Sequence, residues 1–151
     1  MMMDKLTTFA KAVALNTGAA GTYNVGDIID LRTIGRDIAQ GHTPIFLHFS
    51  VDTTATSGGS ATGKFQVVSD STTSIATDGT ASFHGGSVAI PVASLTAGLF
   101  FSIPLIPVYQ TFERYLAFQQ VTGTAAFTAG KVNAWLGFEP WGWKAYADAV
   151  N

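Results

Sequence analysis

The chain contains no cysteine, which removes disulfides, thiol nucleophiles and thiolate metal sites together. Charge is scarce as well. Asp, Glu, Lys and Arg make up 12% of the 151 residues, about half of the roughly 25% of an average soluble domain. Between Asp78 and Glu113 there is none of the four. That gap is not read as a membrane span, because Gly85, Gly86, Pro91, Gly98, Pro104 and Pro107 interrupt it and a spanning helix needs about 20 predominantly apolar residues. The basic residues are scattered from Lys5 to Lys144, and the formal net charge is −2. Without a clustered basic face to neutralise phosphates, no nucleic-acid partner is expected. Residues 1–21 carry Asp4, Lys5 and Lys11 and hold no unbroken apolar stretch, so they make a poor secretory signal.

Helical periodicity is also missing: no long segment repeats apolar residues at i, i+3, i+4 and i+7, and β-branched and aromatic residues dominate the apolar set. What is present is a period of two. Ile45, Leu47, Phe49 and Val51 alternate with Phe46, His48, Ser50 and Asp52, and Val132, Ala134, Leu136 and Phe138 alternate with Lys131, Asn133, Trp135 and Gly137. Successive strand residues face opposite sides of a sheet, so each segment buries one face. Further strands fit residues 23–31, 65–70, 87–92, 99–106 and 113–121, with Gly, Pro, Ser, Thr and Asp clusters between them. Regular short strands predict one all-β domain over residues 1–151, a two-sheet antiparallel sandwich or jelly roll. Phe9, Lys11, Val13 and Leu15 suit a strand, and Leu6, Phe9 and Val13 a short amphipathic helix; the preferred expectation is an extended N-terminal arm over 1–21. A C-terminal arm is expected over 139–151, where a last helical turn could also form.

The glycines and lysine of Gly58-Gly59-Ser60-Ala61-Thr62-Gly63-Lys64 fit a phosphate-binding loop. The Ser or Thr that would hold magnesium is replaced by Phe65, and an alternating strand follows where a helix is required. A loop joining two strands as a hairpin is the better expectation. His42, His48 and His84 lack metal-site spacing, and no Gly-x-Ser-x-Gly elbow marks a nucleophile. Asp27, Asp30, Asp37, Asp52 and Asp70 fall mostly at strand ends, where Asx turns are expected. Glu113 and Arg114 suit a structural ion pair or a subunit contact rather than acid–base chemistry. Trp135, Trp141, Trp143 and Tyr146 gather near the C-terminus, as packing, a subunit contact or a glycan platform. No catalytic residue, cofactor or metal is expected.

Several segments together resemble one family, the jelly-roll capsid cement or decoration proteins of tailed bacteriophages. They include Asp4-Lys5-Leu6 with Phe9, Ile29-Asp30-Leu31, Gly35-Arg36-Asp37-Ile38 with Gly41, and Pro44-Ile45-Phe46-Leu47. Thr56-Ser57-Gly58-Gly59-Ser60-Ala61-Thr62, Phe65-Gln66-Val67-Val68-Ser69-Asp70 and Ile90-Pro91-Val92-Ala93-Ser94-Leu95 follow. Glu113-Arg114-Tyr115-Leu116, Thr128-Ala129-Gly130-Lys131-Val132-Asn133-Ala134-Trp135-Leu136 and Lys144-Ala145-Tyr146-Ala147-Asp148 complete the set. The resemblance implies a β-sandwich on the outer surface of a virion, made in the bacterial host cytoplasm. It would bridge capsomers of the phage major capsid protein as a homodimer or homotrimer. Expected contacts are Leu6, Phe9, Ser57, Gly58, Gly59, Arg114, Trp135, Trp141, Trp143 and Tyr146. A carbohydrate-binding sandwich built on the tryptophans is the alternative function, and a hydrolase using scattered carboxylates or Ser and His is a third.

Overall fold

A computed structural model describes residues 5–32, 45–105 and 111–138. Strands β1 (Thr8–Ala14), β4 (Ile45–Ser57), β8 (Phe100–Leu105) and β10 (Phe127–Gly137) form a four-stranded antiparallel sheet in the order β1-β10-β4-β8. The second sheet runs β2 (Gly21–Asn24), β9 (Tyr115–Gly123), β5 (Thr62–Asp70), β6 (Ser82–Gly86). The short β3 (Ile29–Asp30) adds to β9, and β7 (Ile90–Pro91) adds to β5. Apart from the β5–β6 hairpin and the two short additions, successive strands switch sheets. This is a jelly roll, two antiparallel sheets face to face.

The alternation expected of β4 and β10 sets their inner faces. Leu47, Phe49 and Val51 are buried from β4, Val132 and Ala134 from β10, and the two strands pair at Val51 with Val132 and Phe49 with Ala134. Phe65 and Val67 of β5 and Leu116 and Phe118 of β9 close the core from the other sheet. The Phe49 ring lies 4.3 Å from Phe65 and 4.6 Å from Phe101, its cross-strand neighbour on β8. Phe118 stacks 5.9 Å from Phe65 and 6.3 Å from Phe9. Five phenylalanines from both sheets thus make one continuous contact, the kind of interlocked burial that dominates stability in a sandwich.

Two expectations change. Residues 8–14, expected within an extended arm, are instead β1, hydrogen-bonded to β10 and closing one sheet edge. The loop after β4 is not a hairpin: β4 and β5 belong to different sheets, so residues 58–61 turn a corner of the sandwich. The β9–β10 connection turns the same corner, and the Ser57 hydroxyl ties the two by donating to the Ala126 carbonyl at 2.6 Å.

The outer face of the second sheet is covered by its own chain. The loop after β5 folds back so that Ile75 packs on Val68 and Ala117. Asp70 shapes the loop by accepting from the backbone N–H groups of Thr72 and Ala76, the Asx-turn geometry expected at a strand end. Beneath it runs an amide ladder. Gln66 donates to Gln119, whose own amide nitrogen donates to Asn24 and to the Ala76 carbonyl, while Asn24 donates to the Ile75 carbonyl. Gln119 is buried, so Gln119→Ala strands several partners at once. We expect a loss of about 2 kcal/mol, with the 71–81 loop becoming the first site of limited proteolysis. An unchanged urea midpoint and cleavage pattern would dissociate the ladder from loop docking.

Candidate interaction surface

Large apolar side chains left exposed among the described residues are Leu6, Ile28, Phe83, Val88, Phe100 and Phe138. Three of them, Leu6, Ile28 and Phe138, line one open cleft of about 1070 Å³. Its walls come from the short turn at Lys5–Thr7, the start of β1, the 27–32 segment around β3, and the ends of β4 and β10 at Ile45 and Leu136. Leu6 is 75% exposed and Phe138 63%, a concentration that isolated surface apolars do not show.

Charge in the cleft largely cancels. Lys5, Asp27, Asp30 and Arg32 line it. Arg114 reaches Asp30 with two parallel hydrogen bonds, Nε to Oδ1 at 2.9 Å and Nη2 to Oδ2 at 3.0 Å, the strong bidentate form. The hydrogen-bonded Arg114 guanidinium and the Arg32 backbone N–H hold the Asp30 carboxyl down to about 2. The pair is therefore ionised at any pH at which the protein would be handled. It fixes β3 against the start of β9, where Leu31 N–H also donates to the Arg114 carbonyl. The surface offers apolar side chains framed by paired charge, which suits an uncharged, apolar partner face.

The contact residues expected from sequence do not form one site. Leu6 lies in the cleft and Arg114 beside it through Asp30. Phe9 is 1% exposed and stacks on Phe118; as a core residue it takes no direct part in a surface contact. Ser57, Gly58 and Gly59 sit at the opposite end of the sandwich. β10 begins at Phe127 opposite Ser57 and ends at Gly137 opposite Phe46, a length of roughly 30 Å at strand rise. Trp135 lies on the outer face of the first sheet, its ring 5.5 Å from His48 and 6.1 Å from Phe100. The His48 ring is fully buried and donates to or accepts from the Ser102 hydroxyl at 2.7 Å. The Trp135 indole nitrogen is enclosed and has no acceptor among the described residues, while the residue as a whole is half-buried. Trp141, Trp143 and Tyr146 lie outside the described residues.

Sequence reasoning missed Ile28, Phe138 and Phe83. Phe138 continues the apolar alternation of β10, and Ile28 falls inside an apparently continuous strand, so neither carries a signal of exposure. Phe83 is exposed on β6 with the Lys64 ammonium 5.2 Å from its ring centre, a cation–π contact that partly screens it.

The described residues bring Ser and His together twice, His48 with Ser102 on the outer face of the first sheet and Ser69 with His84 inside the second. Ser69 Oγ lies 2.6 Å from His84 Nε2, but both are buried, and the same oxygen accepts the Glu113 N–H at 3.0 Å. A serine so enclosed has no path to a substrate. Among the described residues no group of His, Asp and Glu is arranged to hold a metal ion. The glycine-rich corner at 58–63 runs into strand β5, with no helix N-terminus to receive a phosphate.

A protein-family model described as Bbp16 matches residues 9–136, from β1 to the penultimate residue of β10. No curated protein matches the chain.

Proposed function

We propose that this chain, which belongs to the Bbp16 family, is a structural virion protein, a cement protein on the outer surface of a phage head. In this role it sits between capsomers of the major capsid protein and stabilises the expanded shell. The observation that carries the proposal is the gathering of Leu6, Ile28 and Phe138 at one end of a lightly charged jelly roll. The segment resemblance set out above points the same way.

The physics of the role is simple. A clamp shifts a shell toward its expanded form only by binding that form more tightly than the precursor. Sparse charge lowers the desolvation cost of covering the surface, and an apolar end supplies the anchors around which an interface is built. A homodimer or homotrimer would multiply each contact at a symmetry position of the shell.

The test is co-sedimentation of the purified protein with undecorated expanded heads and with unexpanded precursors. Binding is expected to the expanded heads. The double variant Leu6→Asp with Phe138→Asp should weaken it by about 30-fold or more, the loss of one hot spot or more. Its melting temperature should stay unchanged because both side chains are exposed. Absence of binding to every head form would remove the proposal. The carbohydrate-binding alternative draws on Trp135; glycan-array binding lost in Trp135→Ala, without loss of head binding, would favour it.

A further inference from the structure

We infer that His84 is an acid-sensitive latch that ties the start of β9 to the β5–β6 edge, independently of the capsid role. Its ring, on β6, is stacked 4.0 Å from Phe112 with an interplanar angle of 18°, and its Nε2 meets Ser69 Oγ of β5 at 2.6 Å. Ser69 Oγ in turn accepts the backbone N–H of Glu113 at 3.0 Å. One imidazole therefore joins three pieces of chain: the β6 edge strand, β5, and the 112–113 segment that leads into β9.

Hydrogen bookkeeping makes this joint sensitive to one proton. The serine oxygen accepts the Glu113 N–H and keeps a second lone pair, so the hydroxyl can donate to an unprotonated His84 Nε2 or accept from a protonated one. Nδ1 is buried and has no acceptor among the described residues. Whichever nitrogen holds the first proton, the doubly protonated ring carries a hydrogen on Nδ1 that meets no such acceptor, and it encloses a cation in an apolar setting. Among the described residues, the groups facing the ring do not compensate it. From β5 it meets the uncharged Ser69. From the segment before β9 it meets Phe112 and Glu113, whose carboxylate accepts from the Ser82 hydroxyl at 2.8 Å. From β8 the neighbouring Gly85 packs against Leu105 and Pro104. Asp70 is turned into its own loop, and Lys64 lies over Phe83.

Burial pushes the His84 imidazole down to about 4. The folded value lies below the unfolded value of about 6.5, so the unfolded or locally opened chain takes up the proton first as pH falls. The stabilising contribution is complete above about 6.5 and is lost as pH falls from there toward 4. Each unit in that window is worth about tenfold in the opening equilibrium, and the whole window about 300-fold.

The experiment follows the His84 ring by NMR in the full chain from pH 7.5 to 3.5, with amide exchange of Glu113 measured in parallel. The latch predicts an imidazole midpoint near 4. It also predicts protection of the Glu113 N–H, corrected for intrinsic exchange, falling by up to about 300-fold over the window while Phe49 and Val132 amides keep a larger protection. Glu113→Gln should leave that fall in place, which separates the imidazole from the carboxylate. His84→Phe keeps a ring on Phe112 and should flatten the pH dependence; if that variant fails to fold, the wild-type titration decides. A midpoint near 6.5, or Glu113 protection independent of pH between 6.5 and 4, overturns the latch.

Discussion

Replacing Phe118 by alanine is expected to cost about 3–5 kcal/mol, the range for emptying a fully buried aromatic site. Phe118 has no solvent exposure and sits where both sheets meet, with rings of Phe9, Phe49 and Phe65 within 6.3 Å. Its neighbours come from β1, β4 and β5, so no single strand can shift to fill the space without unpairing from its sheet. Its backbone is engaged as well, since the Phe118 carbonyl accepts the Val25 N–H. Guanidinium unfolding of Phe118→Ala against wild type measures the loss. Phe118→Leu, which keeps most of the volume, should cost clearly less. A loss below about 1 kcal/mol for Phe118→Ala would mean that the interior is loose and the five-ring contact contributes little.

Gly26→Ala is the second large effect, expected at about 2–3 kcal/mol from a single added methyl. Gly26 has φ +80°, a left-handed conformation that costs other residues about 1–2 kcal/mol. A Cβ there would also run into the carbonyl oxygen of Phe9. That oxygen accepts the Asp27 N–H at 2.6 Å, and the bond would be displaced at a further cost of about 1 kcal/mol. The place is a seam: Phe9 belongs to β1 of one sheet, and Gly26 joins β2 to β3 on the other. Gly79→Ala is the control, because Gly79 has φ +91° but open space around it. Strain alone should cost that variant about 1 kcal/mol. Equal losses for the two variants in thermal unfolding would remove the seam from the explanation.

The strand pattern was legible where one face is buried and the other is not. β4 and β10 run where their alternation puts them, because a period of two can satisfy only one register against a core, whereas β9, buried on both faces from Leu116 to Gln120, was legible only from the turn residues that flank it. The partition of strands between sheets was not legible. Gly, Ser and Thr serve a hairpin and a sandwich corner equally well, and residues 58–61 turn out to be a corner. The stretch 23–31 reads as one strand until Gly26 is seen to break it into β2 and β3. The segment at β6 shows a third limit. Composition alone would bury Phe83 and expose His84, yet the structure buries His84 and leaves Phe83 half exposed. A register shift between Val67 and Val68 in the β5–β6 pairing sets which parity faces inward, and that depends on a partner strand.

The surface was less legible than the core. Glu113 and Arg114 were expected to make a structural ion pair or a subunit contact; Arg114 makes the ion pair, and its partner, Asp30, lies 84 positions earlier in the chain. Nothing local links the two residues. Phe9, expected at a surface contact, is in the core because residues 8–14 join a sheet. Leu6, only three positions earlier, is exposed because the short turn at Lys5–Thr7 precedes the pairing.

The capsid role can be tested most directly by cryo-electron microscopy of the intact phage particle at side-chain resolution. The proposal predicts density for this jelly roll on the outer surface at junctions between capsomers, with the Leu6, Ile28 and Phe138 end turned toward the major capsid protein. Complete heads that lack the chain, or that hold it inside the shell, would contradict it.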